Sequence, residues 1–206
     1  MMNSVQKLRN LKTTIEEITD SLYDDLTEAV QALKDAAGRE DHTYEDMLVQ
    51  GGISGDYVND RISGVKAGCF QMSYDLTSVK MDNVETVDSN AFTDSGITAA
   101  GFPNVRYAGP KAFYMCGALK WAELGNAEYL DTEAFRECYQ LNTVILAGSQ
   151  VCQLDANVFK GTPIESGTGF VYVPRALLAA YEAEPCWTAY RSQLRAMEDH
   201  PEVCNV

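Results

Sequence analysis

The amino-acid sequence predicts an α/β solenoid of about five short β-coils, preceded by an α-helical or coiled-coil segment and closed by a helical cap. Three observations predict it: a stretch that repeats itself four times, apolar residues at the same offsets in every copy, and helical spacing in the residues on either side. Aligned on an Ala-Phe or Val-Phe pair, the copies read LTSVKMDNVETVDSNAFTDSG, ITAAGFPNVRYAGPKAFYMCGA, LKWAELGNAEYLDTEAFRECYQ and LNTVILAGSQVCQLDANVFKGTP. They begin at Leu76, Ile97, Leu119 and Leu141 and carry Phe92, Phe113, Phe135 and Phe159 near their ends, a period of about 21–24 residues. A weaker copy lies upstream, where Ile62, Val65 and Phe70 keep the register of Val84, Val87 and Phe92.

Taken from the amino terminus, residues 1–40 read as helical. Leu8, Leu11, Ile15, Ile18 and Leu22 alternate spacings of three and four, the a/d pattern of a coiled-coil seam. The seam breaks at Asp24 and Asp25 and resumes in a shifted register with Leu26, Val30 and Leu33. This is either a stutter in a continuous helix or a new helix capped by one of the aspartates, and Gly38 suits a carboxy-terminal cap. Two roles fit the segment: a stalk that self-associates as a dimer or trimer, or an amphipathic hairpin that caps the first coil. The charged, turn-prone run from Arg39 to Asp46 places a linker at residues 41–52.

Residues 53–173 form the solenoid, and their period lies inside the leucine-rich-repeat range. Each unit opens with the alternation of a short strand, which turns Leu76, Val79 and Met81 inward, and likewise Leu119, Ala122 and Leu124. A second inward turn follows at Val84 and Val87, repeated at Val105 and Ala108, Ala127 and Leu130, Val151 and Leu154. The phenylalanine then closes the coil, in a segment such as Asp131–Cys138 whose composition suits one helical turn. One coil cannot bury its own apolar face. Stacking encloses it, at roughly 1.5–3 kcal/mol per large side chain, so about three or more coils are needed.

Residues 174–206 read as the cap and tail. Phe170–Val173 is a last strand, and Pro174 opens a helix with Leu177, Leu178 and Tyr181 on one face. A second helix is predicted from near Pro185, presenting Trp187, Tyr190, Leu194 and Met197 to the open end of the last coil. From His200 onward the tail reads as frayed.

The 206 residues carry a formal net charge of −14, which disfavours phosphate backbones and anionic membranes, so no nucleic acid and no membrane insertion is expected. The first residues, MMNSVQKLRNLKTT, lack the apolar run of a signal peptide, and no stretch has the length of a membrane helix. The chain is therefore expected to stay where it is made. None of the six cysteines forms a C-x-x-C pair; Cys116 and Cys138 share one repeat position, where a small buried side chain outweighs a disulfide as the reading. With only His42 and His200, a zinc site or a histidine-based triad has little material. No nucleophile–base constellation or phosphate loop is present, so neither an enzyme nor a cofactor is expected.

The segments Ala112-Phe113-Tyr114-Met115-Cys116-Gly117-Ala118-Leu119 and Ala134-Phe135-Arg136-Glu137-Cys138-Tyr139-Gln140-Leu141 resemble the BspA-like class of leucine-rich repeats. The stretch Gly161–Tyr190 resembles the closing unit of such repeats in proteins of phages and prophages of Gram-positive gut bacteria, and Tyr23-Asp24-Asp25-Leu26 is similar to segments ahead of these repeats in phage tail-region proteins. The resemblance covers roughly residues 50–199; Cys69 before Phe70 and Asn157-Val158-Phe159 depart from the Ala-Phe pattern. It implies a binding or structural module with no catalytic motif to carry over. The favoured expectation is a virion structural protein of a tailed phage: a tail fibre, spike, baseplate or head-decoration element, assembled in the host cytoplasm. It would attach to other virion proteins through the amino-terminal helices and present the solenoid to a host-surface protein or glycan. A bacterial surface adhesin is the alternative, and it needs export that residues 1–30 do not supply.

If the inward set is right, alternation turns two columns outward: Ser78, Ala99, Trp121, Thr143, and Lys80, Gly101, Glu123, Ile145. Tyr107 and Tyr129 hold equivalent positions around the next turn. Trp121, Tyr107, Tyr129, Glu123, Lys80 and Ile145 are accordingly the candidate binding residues. The competing reading is that the aromatic residues stack on one another to hold the coils together.

Overall fold

The computed structural model describes residues 54–204. The predicted seam at Leu8, Leu11, Ile15, Ile18 and Leu22 and the linker at residues 41–52 lie outside the described residues.

Each of five coils supplies one strand to each of two parallel sheets. In chain order the pairs are β1 (Gly55–Val58) and β2 (Gly64–Val65), β3 (Leu76–Lys80) and β4 (Thr86–Val87), β5 (Ala99–Phe102) and β6 (Tyr107–Ala108), β7 (Trp121–Leu124) and β8 (Tyr129–Leu130), β9 (Thr143–Ile145) and β10 (Gln153–Leu154). The larger sheet runs β1-β3-β5-β7-β9 and continues with β11 (Phe170–Val173) and β12 (Leu194–Ala196); the smaller runs β2-β4-β6-β8-β10. Register places each residue beside its equivalent one coil later, so Val79, Ala100, Ala122, Val144 and Val171 form one inward column. All five are buried.

The phenylalanines form the spine of the core. Phe70, Phe92, Phe113, Phe135 and Phe159 stack with centroid separations of 4.8, 5.2, 4.9 and 5.9 Å and interplanar angles of 8°, 2°, 2° and 13°. Tyr57 tilts onto the Phe70 end at 5.4 Å, and Trp187 and Tyr190 close the Phe159 end at 6.1 and 5.4 Å. Such offset ring contacts add about 0.5–1.5 kcal/mol each beyond their buried area.

The third side of each coil is not the helical turn expected for Asp131–Cys138; it is a run of tight turns. The residue two before each phenylalanine has positive φ (Gly68, Asn90, Lys111, Glu133, Asn157), as does the residue two after it (Met72, Asp94, Met115, Glu137, Gly161). A helix there would turn its N–H groups along its own axis. The turns instead aim them at the next coil: Phe70, Phe92, Phe113 and Phe135 each donate a backbone N–H to a carbonyl one coil on, at 2.7–3.0 Å, and the positive-φ residues of those four coils do the same at 2.8–3.1 Å. At the last coil, where no further carbonyl exists, the N–H of Gly161 donates to the Glu165 carboxylate at 2.7 Å. Glu165 belongs to a short helix, Pro163–Ser166, capped by the Thr162 side chain and ended by left-handed Gly167.

At the carboxy terminus the helix Arg175–Ala183 forms as expected and buries Tyr181. The second predicted helix is corrected. Pro185–Gln193 is a 3₁₀ segment, and Leu194 lies in β12, which pairs in parallel with β11. A strand satisfies the open hydrogen-bonding edge of β11, which a helix laid across it would leave bare. Met197 starts a short 3₁₀ turn, and the tail expected to fray contains the helix Pro201–Cys204. The cap is fastened to the last coil at Cys152, whose backbone N–H donates to the Tyr181 hydroxyl at 3.1 Å and whose carbonyl accepts from Trp187 Nε1 at 2.7 Å.

Two predictions follow from this packing. Phe113→Ala, at the centre of the stack, lowers the unfolding free energy by about 3–5 kcal/mol in chemical denaturation. Asn157→Val, which puts a β-branched side chain at φ 59°, costs about 1–2 kcal/mol in the same measurement, whereas Asn157→Gly is close to neutral.

Candidate interaction surface

The two columns expected to face outward on the larger sheet keep the expected register. Ser78, Ala99, Trp121 and Thr143 are successive register partners, as are Lys80, Gly101, Glu123 and Ile145. The first column continues from Asp56 to Phe170 and the second from Val58 to Tyr172. Asp56 accepts hydrogen bonds from the Thr77 and Ser78 hydroxyls, both at 2.7 Å, and the Ser78 bond above all holds its carboxyl below the usual carboxylate range.

Trp121 is half-buried, and its indole reaches towards Gly101: a Cβ built there would sit 3.8 Å from Cζ3 of the ring. The absence of a side chain at Gly101 leaves the space beside the ring. Glu123 stands next to it in the second column; burial raises its pKa, the Asp82 carboxylate adds to that, and Lys80 opposes it. Two polar atoms in this neighbourhood, Trp121 Nε1 and Asp82 Oδ1, are buried without a hydrogen-bond partner.

Ile145, expected among the exposed residues, is 1% exposed and is therefore no contact residue for a partner. It lies between Glu123 and Tyr172 in register, and Tyr172 is itself buried, with the His200 ring edge-on at 5.4 Å. Next to them the Arg195 guanidinium lies 4.3 Å from the Phe170 ring. Apolar side chains thus cover the face beyond Thr143, and the open part runs from Asp56 to Trp121 and Glu123. Sequence reading missed this because it placed Leu194–Ala196 in a helix and so left the far edge of the sheet vacant.

Tyr107 and Tyr129 sit on adjacent coils of the smaller sheet, stacked at 6.2 Å. Their hydroxyls donate to aspartates one coil on, Tyr107 to Asp131 at 2.6 Å and Tyr129 to Asp155 at 3.2 Å. Both phenols are thus engaged in coil-to-coil contacts. The Asp131 hydrogen bond, aided by burial, raises the Tyr107 pKa to about 12.

Sequence reasoning also passed over the turn side, which exposes Met72, Tyr74, Met115 and Tyr139. Tyr74 donates to Asp94 at 2.9 Å, and Tyr139 leans over Gly117. Beneath them the Cys116 and Cys138 thiols donate to the Phe92 and Phe113 carbonyls at 2.9 and 3.0 Å. These are free thiols on neighbouring coils, and burial pushes that of Cys138 well above the ordinary range. Among the described residues, no group of three or more His, Cys, Asp or Glu is placed to hold a metal, and no helix is long and apolar enough to cross a membrane.

The Tyr107 bond yields a pH prediction. Because the fold favours the neutral phenol, its contribution is complete below pH 10, the ordinary tyrosine value, and is lost as the pH rises through about 12. Tyr107→Phe therefore lowers stability at pH 7 by about 1 kcal/mol and flattens the alkaline fall, as checked by denaturation at several pH values.

No curated protein matches the chain. The BspA type leucine rich repeat region matches residues 58–169, in six copies. That span is more than half of the 206 residues, and it coincides with the stacked coils whose spine, register and turns are described above. The chain belongs to the BspA type leucine-rich repeat family.

Proposed function

We propose that this protein is a non-enzymatic recognition module whose larger sheet presents its open outward face, centred on Trp121, to a protein partner. One observation carries the reading: the half-buried Trp121 ring stands in an outward column of the larger sheet, with exposed Lys80 and half-buried Glu123 in the column beside it. A large amphipathic ring bordered by charges of both signs is the kind of side chain enriched at the centre of protein interfaces. Family membership supports a protein-interaction or surface-binding role, since the repeat is generally a scaffold rather than a catalyst.

The carrier of this module, in our reading, is a tailed-phage virion. Residues 1–40 attach it to other virion proteins as a dimeric or trimeric stalk, and the solenoid faces the host surface. The resemblance of Gly161–Tyr190 to phage and prophage repeat endings supports this. A bacterial surface adhesin is equally consistent with the repeat itself. Antibodies against the chain decide between them: recovery in released particles supports the virion, and recovery in the cell envelope supports the adhesin.

Light scattering on the intact chain is expected to give a dimer or trimer; a monomer would remove the stalk. Trp121→Ala is expected to weaken binding to material isolated from the cognate surface at least tenfold while shifting the melting temperature by only a few degrees. A large thermal loss with intact binding would make Trp121 a stacking residue instead.

A further inference from the structure

We propose that a groove along one corner of the solenoid binds a neutral oligosaccharide. The corner lies where β3, β5 and β7 pass into β4, β6 and β8. Val84, Val105 and Ala127 point into the core there, and the residues flanking each of them line the groove. Two columns result: Asn83, Asn104 and Asn126 on one side, and Glu85, Arg106 and Glu128 on the other. They border a volume of about 390 Å³, within the ~300–1,000 Å³ of small-molecule sites. Trp121 does not line it, so this site is separate from the sheet face.

Hydrogen bonds between coils aim the polar groups of the groove. Arg106 N–H donates to the Glu85 carbonyl and Glu128 N–H to the Arg106 carbonyl, both at 2.8 Å, which sets the spacing of the charged column. In the amide column Nδ2 of Asn83 donates to the Asp60 carbonyl, Nδ2 of Asn104 to the Asp82 carbonyl at 2.8 Å, and Nδ2 of Asn126 to Asn104 Oδ1 at 3.1 Å. These bonds orient the amides and leave the oxygens of Asn83 and Asn126 facing no donor within the column. Arg106 gives Nε and one terminal nitrogen to Glu128 at 2.7 and 2.6 Å, while the Glu85 carboxylate makes no ion pair among the described residues. Open acceptors therefore alternate with a guanidinium that has donors to spare, and two carboxylates against one guanidinium leave little net charge.

A hydroxyl both donates and accepts, so a ligand rich in hydroxyls can answer every group in such a groove. The spacing argues the same way. Parallel strands, and hence the rungs of each column, are about 4.7–4.9 Å apart. An extended peptide lying along the axis repeats its side every two residues, about 6.6 Å, and falls out of step within two coils. A chain of linked pyranose rings advances by roughly one ring per coil and carries hydroxyls on both edges of each ring, so it stays in step even where alternate rings are turned over. A metal cation would have to displace Arg106 from Glu128, and an acidic glycan would meet an excess of carboxylate.

The test is an array of neutral homo-oligosaccharides of glucose, galactose, mannose and N-acetylglucosamine probed with the intact chain, followed by calorimetry on the strongest binder. One is expected to bind. Glu85→Gln and Asn126→Ala should each weaken it about tenfold, the loss of one good hydrogen bond, while Trp121→Ala leaves it unchanged. Glu85 is exposed, so its variant keeps the fold, as a circular-dichroism melt verifies. The proposal is overturned if no neutral oligosaccharide binds at millimolar concentration, or if binding is indifferent to both groove substitutions. It is equally overturned if an extended-peptide library binds and these substitutions abolish that binding, which would make the occupant a peptide. None of these results bears on the Trp121 face, which is judged by its own substitution.

Discussion

The stack of Phe70, Phe92, Phe113, Phe135 and Phe159 is the contact on which the other features depend. Rings held nearly parallel at 4.8–5.9 Å set how far each coil advances and how little it rotates. Small inward residues such as Ala100, Ala122 and Ala108 follow from this: the rings already fill the centre, and the sheets must come close to them. The same translation carries the outward columns, so anything presented on one coil is presented again, in line, on the next.

The price of that regularity falls on the backbone. Among the described residues eight other than glycine hold positive φ, each at a cost of about 1–2 kcal/mol, and the fold tolerates all but Asn157 because their N–H groups reach the neighbouring coil. A helical turn would avoid the strain but would direct its hydrogen bonds within the coil rather than between coils. The turns exchange local comfort for axial cohesion, and the structure spends that exchange at the same two positions in every repeat.

Much of this was legible in the sequence, because a period-two strand and a 22-residue repeat both leave their mark on apolar spacing. Most of the inward set, the register of both outward columns, the number of coils and the cap role of Trp187 could be read from residue order alone; the burial of Ile145, and of Cys152 where Val151 and Leu154 were expected inward, could not. The turn conformation could not: Lys111 and Glu133 carry no sign of a left-handed backbone, since the demand for it comes from the adjacent coil. Leu194–Ala196 reads as helix because a three-residue alternation is too short to outweigh the helical spacing of Trp187, Tyr190, Leu194 and Met197, and β11 imposes the strand conformation. The Tyr107–Asp131 bond joins residues 24 apart, and the corner groove depends on the angle between two sheets, which spacing does not encode.

The Glu165 carboxylate on the Gly161 N–H gives the solenoid a defined length. Every earlier coil offers its turn N–H groups to a successor, as a growing polymer offers a reactive end, and nothing in a coil itself says when to stop. A four-residue helix supplies an oxygen where the next coil's carbonyl would stand. Glu165 thus serves as an end group on the turn side of the last coil, occupying the Gly161 N–H that a further coil would otherwise take.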